Sequence, residues 1–184
     1  MYYTEILFLP PIATHSKKSL IFWVNVGEVE DELSNSVSRV RIERSLMDGS
    51  QRKTVISSKI GVPTDICIDQ DDGGALFWID IELRRLERSN LDGGNRLGLV
   101  SGDNFGPKNL KFSLGLVTVH GEYVYWGLRS SESINRINKR TGLDSKTIKS
   151  NAMHLSSLIS VKAVSYVNNP CKGNSTTFDD FYRV

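Results

Sequence analysis

The chain has few of the residues on which several protein classes depend. Only 2 of its 184 residues are cysteine, which excludes a disulfide framework, and its 3 histidines are too scattered in sequence to form a metal-ligand cluster. No apolar run approaches the ~20 residues of a membrane-spanning helix, and the start lacks the basic region and cleavage site of a signal peptide. The formal net charge of +2 supports neither a nucleic-acid surface nor an acidic tail, so no nucleic-acid partner is expected.

A helical period is also missing, and a repeated β pattern stands in its place. An aromatic residue followed by tryptophan recurs within an apolar run at Phe22-Trp23, Phe77-Trp78 and Tyr125-Trp126. The three tryptophans lie about 50 residues apart, somewhat above the ~40–45 residues of a four-stranded propeller blade, and we attribute the excess to loop insertions. A repeat of this size is one supersecondary unit that buries its apolar face only by stacking on a neighbour.

Strand and turn signals follow each aromatic pair in the same order. Residues 84–91 alternate with a period of two, which predicts a strand. Asp-Gly or Thr-Gly turns are predicted at 47–50, 91–94 and 139–142, because these residues enter the φ > 0 geometry of tight hairpins. Further strands are predicted at 52–56, 96–100 and 146–148, and inner strands at 63–69 and 114–119.

These motifs resemble the YWTD (class B) repeat of the low-density lipoprotein receptor family, most of all its receptor-related members. The second copy matches best, with 77–80 as the aromatic-Trp strand and 86–100 as the Arg, Leu-Asp-Gly and Leu-Val part of the repeat. The first copy has Asn25 where the family has Asp, and the third has Gly127-Leu128 in place of Thr-Asp. The resemblance covers roughly residues 8–171.

The resemblance implies an all-β fold, a partial YWTD-type β-propeller with about three to four four-stranded blades of a six-bladed ring. We expect the partial propeller to span residues 1–168, with an outer strand of a preceding blade near 1–9 and a closing strand near 159–164. Residues 169–184 form a C-terminal tail that looks like the start of a truncated EGF-like module. The chain is thus expected to be the C-terminal part of a longer propeller, a truncated gene model or a degenerate family member, and an open arc of blades is expected to associate or to be unstable unless a partner closes it.

The repeated positions are predicted to hold blades together rather than to bind a ligand. A Trp that recurs at blade spacing is typical of packing between adjacent blades, and the family's Asp after it is a structural hydrogen-bonding residue. Arg44, Arg88 and Arg136 recur in register, which favours a structural or solvent-facing role over catalysis. The structural repeat positions are Phe22, Trp23, Asn25, Phe77, Trp78, Asp80, Tyr125 and Trp126.

The two cysteines have different predicted roles. Cys67 lies between Ile66 and Ile68 and is interpreted as a small buried residue. Cys171 follows Asn169-Pro170 and resembles the first cysteine of an EGF-like module, although no further cysteine follows. Asn174 heads a glycosylation sequon, which is meaningful in a secreted chain.

The function implied by the resemblance is that of a non-catalytic, protein-binding module of an endocytic or signalling receptor at the cell surface. It needs no cofactor and no metal, and its partners are a protein ligand and either an adjacent EGF-like module or a second copy that closes the ring. Propeller strands form a rigid scaffold whose loops carry recognition. The candidate ligand-binding residues, expected to be exposed on loops and blade edges, are Glu30, Asp31, Glu32, Arg84, Asp103, Phe105 and Arg129.

Two alternatives remain at this point. The first is a metal-dependent hydrolase of the lactonase type on a related six-bladed propeller, for which Asp65 and Asp69 are the inner-strand acids in a matching place. The turn at 69–74 is rich in Asp and Gly like a calcium-binding loop, but it lacks the ligand spacing and the twelfth-position Glu of that motif. No nucleophile motif with a positioned base is present, so we predict that the chain is not an enzyme. The second alternative is a nonfunctional receptor fragment.

Overall fold

Three small antiparallel sheets make up the described part of the chain. The computed structural model describes residues 10–27, 40–71, 73–106, 114–129, 131–150 and 157–159. Within them, each sheet has four strands that are consecutive in sequence and paired with their neighbours. Two short 3-10 turns, Ser16–Lys18 and Gly102–Phe105, are the only helical elements of these ranges. This arrangement confirms the prediction of an all-β, partial propeller and supplies three of the predicted three to four blades.

The strands follow the repeat closely. Blade 1 comprises β1 (Ile12–His15), β2 (Leu20–Asn25), β3 (Arg41–Leu46) and β4 (Lys53–Ile56). Blade 2 comprises β5 (Pro63–Asp69), β6 (Ala75–Asp80), β7 (Arg85–Asn90) and β8 (Leu97–Ser101). Blade 3 comprises β9 (Gly115–His120), β10 (Tyr123–Leu128), β11 (Ser133–Asn138) and β12 (Lys146–Lys149). The expected outer strand near 1–9, almost all of the expected closing strand, and the boundary between 168 and 169 lie outside the described residues.

The tight turns form where the sequence places them. In blades 1 and 2 the turn after the third strand carries Gly49 (φ 85°) and Gly93 (φ 91°), a backbone region that glycine enters without steric cost. The Asp before each glycine accepts a backbone N–H two residues on, at 2.9 Å for Asp48 and 3.0 Å for Asp92. In blade 3, Asn138 caps the turn instead. These caps fix the register of the outer hairpin of each blade.

The aromatic pair joins neighbouring blades because successive strand residues point to opposite faces of a sheet. Phe22 of blade 1 and Trp78 of blade 2, each 0% exposed, lie in one buried cluster. Phe77 of blade 2 and Trp126 of blade 3 lie in a second cluster. Thus the first aromatic faces the following blade and the tryptophan faces the preceding one. Burying a side chain of this size contributes roughly 1.5–3 kcal/mol.

Polar contacts to backbone atoms reinforce the packing between blades. Arg44 Nη1 donates to the Leu91 carbonyl at 3.0 Å, and Arg88 Nη1 donates to the Lys139 carbonyl at 3.3 Å. Both arginines lie on the third strand of a blade, and both carbonyls begin the outer turn of the next blade. The Thr64 hydroxyl also exchanges two hydrogen bonds with the Gly115 backbone, at 3.0 Å each. Each blade is therefore docked on the next by a contact that repeats along the arc.

Candidate protein-interaction face

Strand direction brings one set of loops to a single side of the blades. Neighbouring strands in every blade are antiparallel. The start of the first strand, the end of the second, the start of the third and the end of the fourth therefore lie at the same end of the sheet. We call this side the connector face. It carries the connections after β2, β6 and β10 and those that lead from one blade to the next, at 26–40, 57–62, 81–84, 102–114 and 129–132.

The predicted ligand-binding residues belong to these connections. Arg84, Asp103 and Arg129 lie in three different connections of blades 2 and 3. Glu30, Asp31 and Glu32 lie outside the described residues, but their segment leaves β2 at Asn25 and returns to β3 at Arg41, both at the connector face. Among the described residues, topology thus assigns the acidic candidate Asp103 and the basic candidates Arg84 and Arg129 to one side of the molecule.

Arg84 supports the loop beside it. Its backbone is left-handed, with φ of 51°, and its Nη2 donates to the carbonyls of Gly102 at 2.9 Å and Gly106 at 2.8 Å. A guanidinium suits this task because its donors are fixed in a planar fork. Arg84 therefore shapes the 3-10 turn that presents Asp103 as an exposed side chain.

The expectation of exposure is wrong for Phe105. Its ring is 2% exposed and belongs to the buried cluster between blades 2 and 3. The 3-10 turn Gly102–Phe105 directs the ring inward, so that it anchors the connection between the blades. This loop therefore presents Asp103 at its surface, while Phe105 is held in the core.

The connection held by Arg84 also borders the matching turn of blade 3. Gly106 approaches Leu128 so closely that an added Cβ would lie 2.5 Å from Leu128 Cδ1. The next residue, Arg129, is exposed, and its backbone N–H donates to the Leu114 carbonyl at 2.9 Å. The Asp103 loop and the Arg129 turn are therefore joined through packed backbone, which makes this part of the connector face a preformed surface.

The acid after the second tryptophan secures the connector between blades 1 and 2. Asp80 is 0% exposed, and its carboxylate accepts the backbone N–H groups of Gly61 at 2.7 Å, Val62 at 3.1 Å and Leu83 at 2.9 Å. Asn25, at the equivalent place in blade 1, instead donates from Nδ2 to Glu43 Oε2 at 3.0 Å. All four of these hydrogen bonds are thus structural, because their partners belong to the protein itself.

A charged layer covers two of the tryptophans. Arg52 lies over the Trp23 ring at 5.3 Å and pairs with Glu43 at 2.7 Å, while Arg96 lies over Trp78 at 5.1 Å and pairs with Glu87 at 2.6 Å. Each carboxylate lies opposite the tryptophan in the strand pairing.

The charged layer shifts the pKa of one carboxyl group, that of Glu43. Burial raises the pKa of Glu43, but hydrogen bonds from Asn25, Arg41 and Arg52 outweigh this effect and lower the pKa to about 2. In blade 3, Asn135 takes the place of the carboxylate, and its Oδ1 accepts a hydrogen bond of 2.8 Å from the Thr147 hydroxyl on the neighbouring strand.

The two acids considered as metal ligands have protein partners. Asp65 accepts the N–H groups of Val117 at 2.8 Å and Ile66 at 2.9 Å, and burial raises its pKa to about 6 against the effect of these bonds. Asp69 pairs with Lys139 Nζ at 2.6 Å in a buried ion pair beside a cavity of about 80 Å³. In the described ranges, no group of three or more His, Cys, Asp or Glu side chains could hold a metal ion.

Of the remaining predicted features, Cys67 lies within the described residues, whereas Cys171 and Asn174 do not. Cys67 is partly buried, and burial raises the pKa of its thiol, which keeps it protonated and unreactive. Cys171 and Asn174 lie outside the described residues. Among the residues that are described, no helix is long and apolar enough to cross a bilayer.

Comparisons with known proteins point to receptors. The chain is 33% identical to human low-density lipoprotein receptor-related protein 5 over 134 residues, and 28% identical to the mouse protein over 163 residues. These matches cover 71% and 87% of this chain but only 8% and 9% of the relatives. The vitellogenin receptor Yl of Drosophila melanogaster is 26% identical over 74% of this chain and 6% of its own length. The chain therefore spans less than a tenth of these relatives.

Two further comparisons do not contribute to the family assignment. No family model matches the chain. A chain from the crystal structure of a nidogen/laminin complex aligns with a TM-score of 0.45 and 20% identity, over 80% of this chain and 65% of that one. The sequence relatives and the three repeated blades together carry the assignment: the chain is a relative of the low-density lipoprotein receptor-related proteins and forms part of a YWTD-type β-propeller.

Proposed function

We propose that this chain is a non-catalytic, protein-binding module of a receptor-like protein at the cell surface or in the extracellular space, and that its connector face binds the protein ligand. The observation that carries the proposal is the collection of oppositely charged candidates on one side of a rigid β scaffold. Binding loops on such scaffolds vary while the strands keep their positions.

The charge pattern defines the surface that the ligand would contact. Arg129 and Asp103 are exposed on packed backbone, and Glu30, Asp31 and Glu32 belong to the connection that begins and ends at the same face. A mixed surface of this kind favours a protein ligand with complementary charges, because electrostatic complementarity steers association and suppresses wrong partners. Arg84 contributes by holding the Asp103 loop in place.

The chemistry of the inner strands favours binding over the lactonase-type alternative. Asp69 is neutralised by Lys139, and Asp65 accepts the backbone N–H groups of Val117 in the next blade and of Ile66 in its own strand. The named relatives are receptors or receptor-related proteins. The proposal also assigns residues 169–184 to the start of a truncated EGF-like module, with Asn174 as a glycosylation site in the secreted chain.

The test is a binding screen of the purified chain against a panel of secreted proteins, with vitellogenin included because one relative is named a vitellogenin receptor. Two charge-reversal variants are compared for each binder: Arg129→Glu, and Glu30→Lys combined with Asp31→Lys and Glu32→Lys. We expect at least one of them to weaken binding about tenfold or more, the effect of losing ~1.4 kcal/mol.

A matched control is Lys53→Glu, an exposed charge reversal at the start of β4, on the side of blade 1 opposite to the connector face. It should leave the affinity unchanged. The proposal fails if no panel member binds, or if Lys53→Glu weakens binding while the connector-face variants do not.

A further inference from the structure

The junction of blades 2 and 3 contains a polar cavity on the side of the blades opposite to the connector face. We call it the junction cavity; its volume is about 80 Å³, and the lining side chains that define it here are Asp69, Phe77, Arg88, Asn90 and Lys139. Asp69 ends β5, Asn90 ends β7 and Lys139 follows β11, so all three lie away from the connections of the connector face. A water takes up ~30 Å³ in the liquid, so the cavity has room for a group of several heavy atoms.

The lining of the junction cavity is rich in hydrogen-bond donors. Both carboxylate oxygens of Asp69 have partners, because Oδ2 accepts from Lys139 Nζ at 2.6 Å and Oδ1 accepts from the Asp71 N–H at 3.1 Å. Among the described residues, Lys139 Nζ keeps N–H donors beyond the one that it gives to Asp69. Arg88 Nη1 donates to the Lys139 carbonyl at 3.3 Å, but Arg88 Nε is buried without a hydrogen-bond partner. This arrangement favours a ligand that accepts hydrogen bonds.

The charges around the cavity leave a positive surplus. Asp69 and Lys139 are 6% and 4% exposed and compensate each other as an ion pair. At the rim, Asp71 and Arg140 carry opposite charges. The guanidinium of Arg88 has no carboxylate partner within the part of the chain that the structure describes, although Arg88 is partly buried. Because a charge removed from water is favourable only when it is paired, a ligand with one negative charge fits this cavity.

The matching junction of blades 1 and 2 is built differently. Leu91 stands there in the position that Lys139 has in blade 3, and His15 stands in the position of Asp69. An added Cβ on Gly74 would lie 2.7 Å from Leu91 Cδ1 and 2.9 Å from His15 Cδ2, so side chains of the protein fill this place. The charged cavity therefore belongs to the second junction and does not follow from the repeat itself.

We propose that the junction cavity binds a small carboxylate with one negative charge, whose oxygens accept hydrogen bonds from Lys139 Nζ and the Arg88 guanidinium. A guanidinium suits this group because its planar fork of donors matches the two oxygens of a carboxylate. Phe77, which is 1% exposed, supplies an apolar part of the lining for a short carbon chain. The carboxylate comes either from a free short-chain acid or from an acidic side chain of a bound protein.

The test is a titration of the ¹⁵N-labelled full chain with sodium acetate, followed through the Arg88 Nε–Hε signal in heteronuclear NMR spectra. We expect the signal to move and saturate, with a Kd on the order of 1 mM, because a ligand of so few atoms has a limited affinity. A parallel titration with sodium chloride to the same ionic strength should leave the signal in place. This comparison needs no variant, so it decides the proposal even if a substitution prevents folding.

A second titration distinguishes the two sources of the carboxylate. N-acetylglutamic acid α-amide presents the carboxylate of a glutamate side chain on a blocked backbone. Tighter binding of this compound than of acetate would assign the site to an acidic side chain of a bound protein. Weaker binding would assign it to a free short-chain acid, because the blocked backbone then fails to fit at the rim.

A built-in carboxylate provides the matched pair of variants. Asn90→Asp adds a negative charge to the lining and should weaken acetate binding at least tenfold, since the new carboxylate takes the place of the ligand. Asn138→Asp adds the same charge at the matching register position of blade 3, outside the lining. There an Asp can still cap the turn as Asn138 Oδ1 does, and acetate binding should persist. Three results would overturn the proposal: no saturable shift with acetate, an equal shift with chloride, or unchanged acetate binding in folded Asn90→Asp.

Discussion

Replacing Asp80 by alanine should be among the most damaging single changes in the described part of the chain. The side chain is 0% exposed and accepts three backbone N–H groups, from Gly61, Val62 and Leu83. Hydrogen bonds to a charged group contribute ~1.5–3 kcal/mol each. Water can reach Val62 and Leu83, which are 38% and 39% exposed, whereas the N–H of buried Gly61 would lose its partner. We therefore expect Asp80→Ala to lower the free energy of unfolding by ~3–5 kcal/mol.

The matched variants lie at the same register position of two blades. Asp80→Asn keeps one acceptor oxygen but turns an amide N–H₂ toward N–H donors, and we expect a loss of about 2 kcal/mol. Asn25→Asp restores the acid that the repeat carries in blade 2, yet it places a carboxylate where Nδ2 now donates to Glu43 at 3.0 Å. It should therefore destabilise the chain instead of improving it, by about 1–2 kcal/mol.

Urea unfolding followed by circular dichroism measures these changes through the shift in midpoint at constant slope. Hydrogen exchange at the Gly61 amide supplies a local readout, which should accelerate in both Asp80 variants and remain unchanged in Asn25→Asp. An Asp80→Ala chain within 1 kcal/mol of the unmodified one, or a stabilised Asn25→Asp chain, would refute this account of the connector.

Three further predictions concern pH and close packing. Because the pKa of Glu43 is lowered to about 2, its contribution to stability is present above pH 4.5 and is lost as the pH falls through about 2; Glu43→Gln should flatten unfolding free energy against pH in that window. The pKa of Asp65 is raised to about 6, so its contribution is present below pH 3.8 and is lost as the pH rises through about 6; Asp65→Asn should remove this loss in the same titration. Gly61→Ala would place a Cβ 2.9 Å from Glu82 Oε2 and should cost ~1–3 kcal/mol in urea unfolding, whereas Gly98→Ala meets nothing within 4 Å and should be neutral.

The local elements were predictable because their signals lie within a few residues. Alternation of apolar side chains and the Asp-Gly dipeptides determine the strands and the outer turns, and the tryptophan that recurs at blade spacing indicated packing between adjacent blades. The recurring Arg44, Arg88 and Arg136 indicated a structural or solvent-facing role, because a charge at the same place in every blade seldom marks one active site, and Arg44 and Arg88 have the structural one.

Other features depend on residues that are distant in sequence, and no local pattern encodes them. Asp69 and Lys139 are 70 residues apart and meet only when blade 3 stacks on blade 2. The burial of Phe105 follows from the way Arg84 holds the carbonyls on both sides of it. The Gly-Asp-Asn-Phe-Gly-Pro segment at 102–107 indicates a loop. The direction in which the Phe105 ring points, however, depends on the space between the sheets of blades 2 and 3.

The arginines of the third strands bond to backbone carbonyls and not to side chains, and this bears on how such a molecule changes over generations. The residue that offers the carbonyl is leucine in one blade and lysine in the next, and the contact is kept in both. The side chain at that turn can therefore change without loss of this hydrogen bond, provided that it still packs on the preceding blade, as Leu91 does, or pairs with it, as Lys139 does with Asp69. A duplicated or exchanged unit would thus keep this one contact without a matching second substitution, whereas a side-chain contact such as Asp69–Lys139 needs both of its partners.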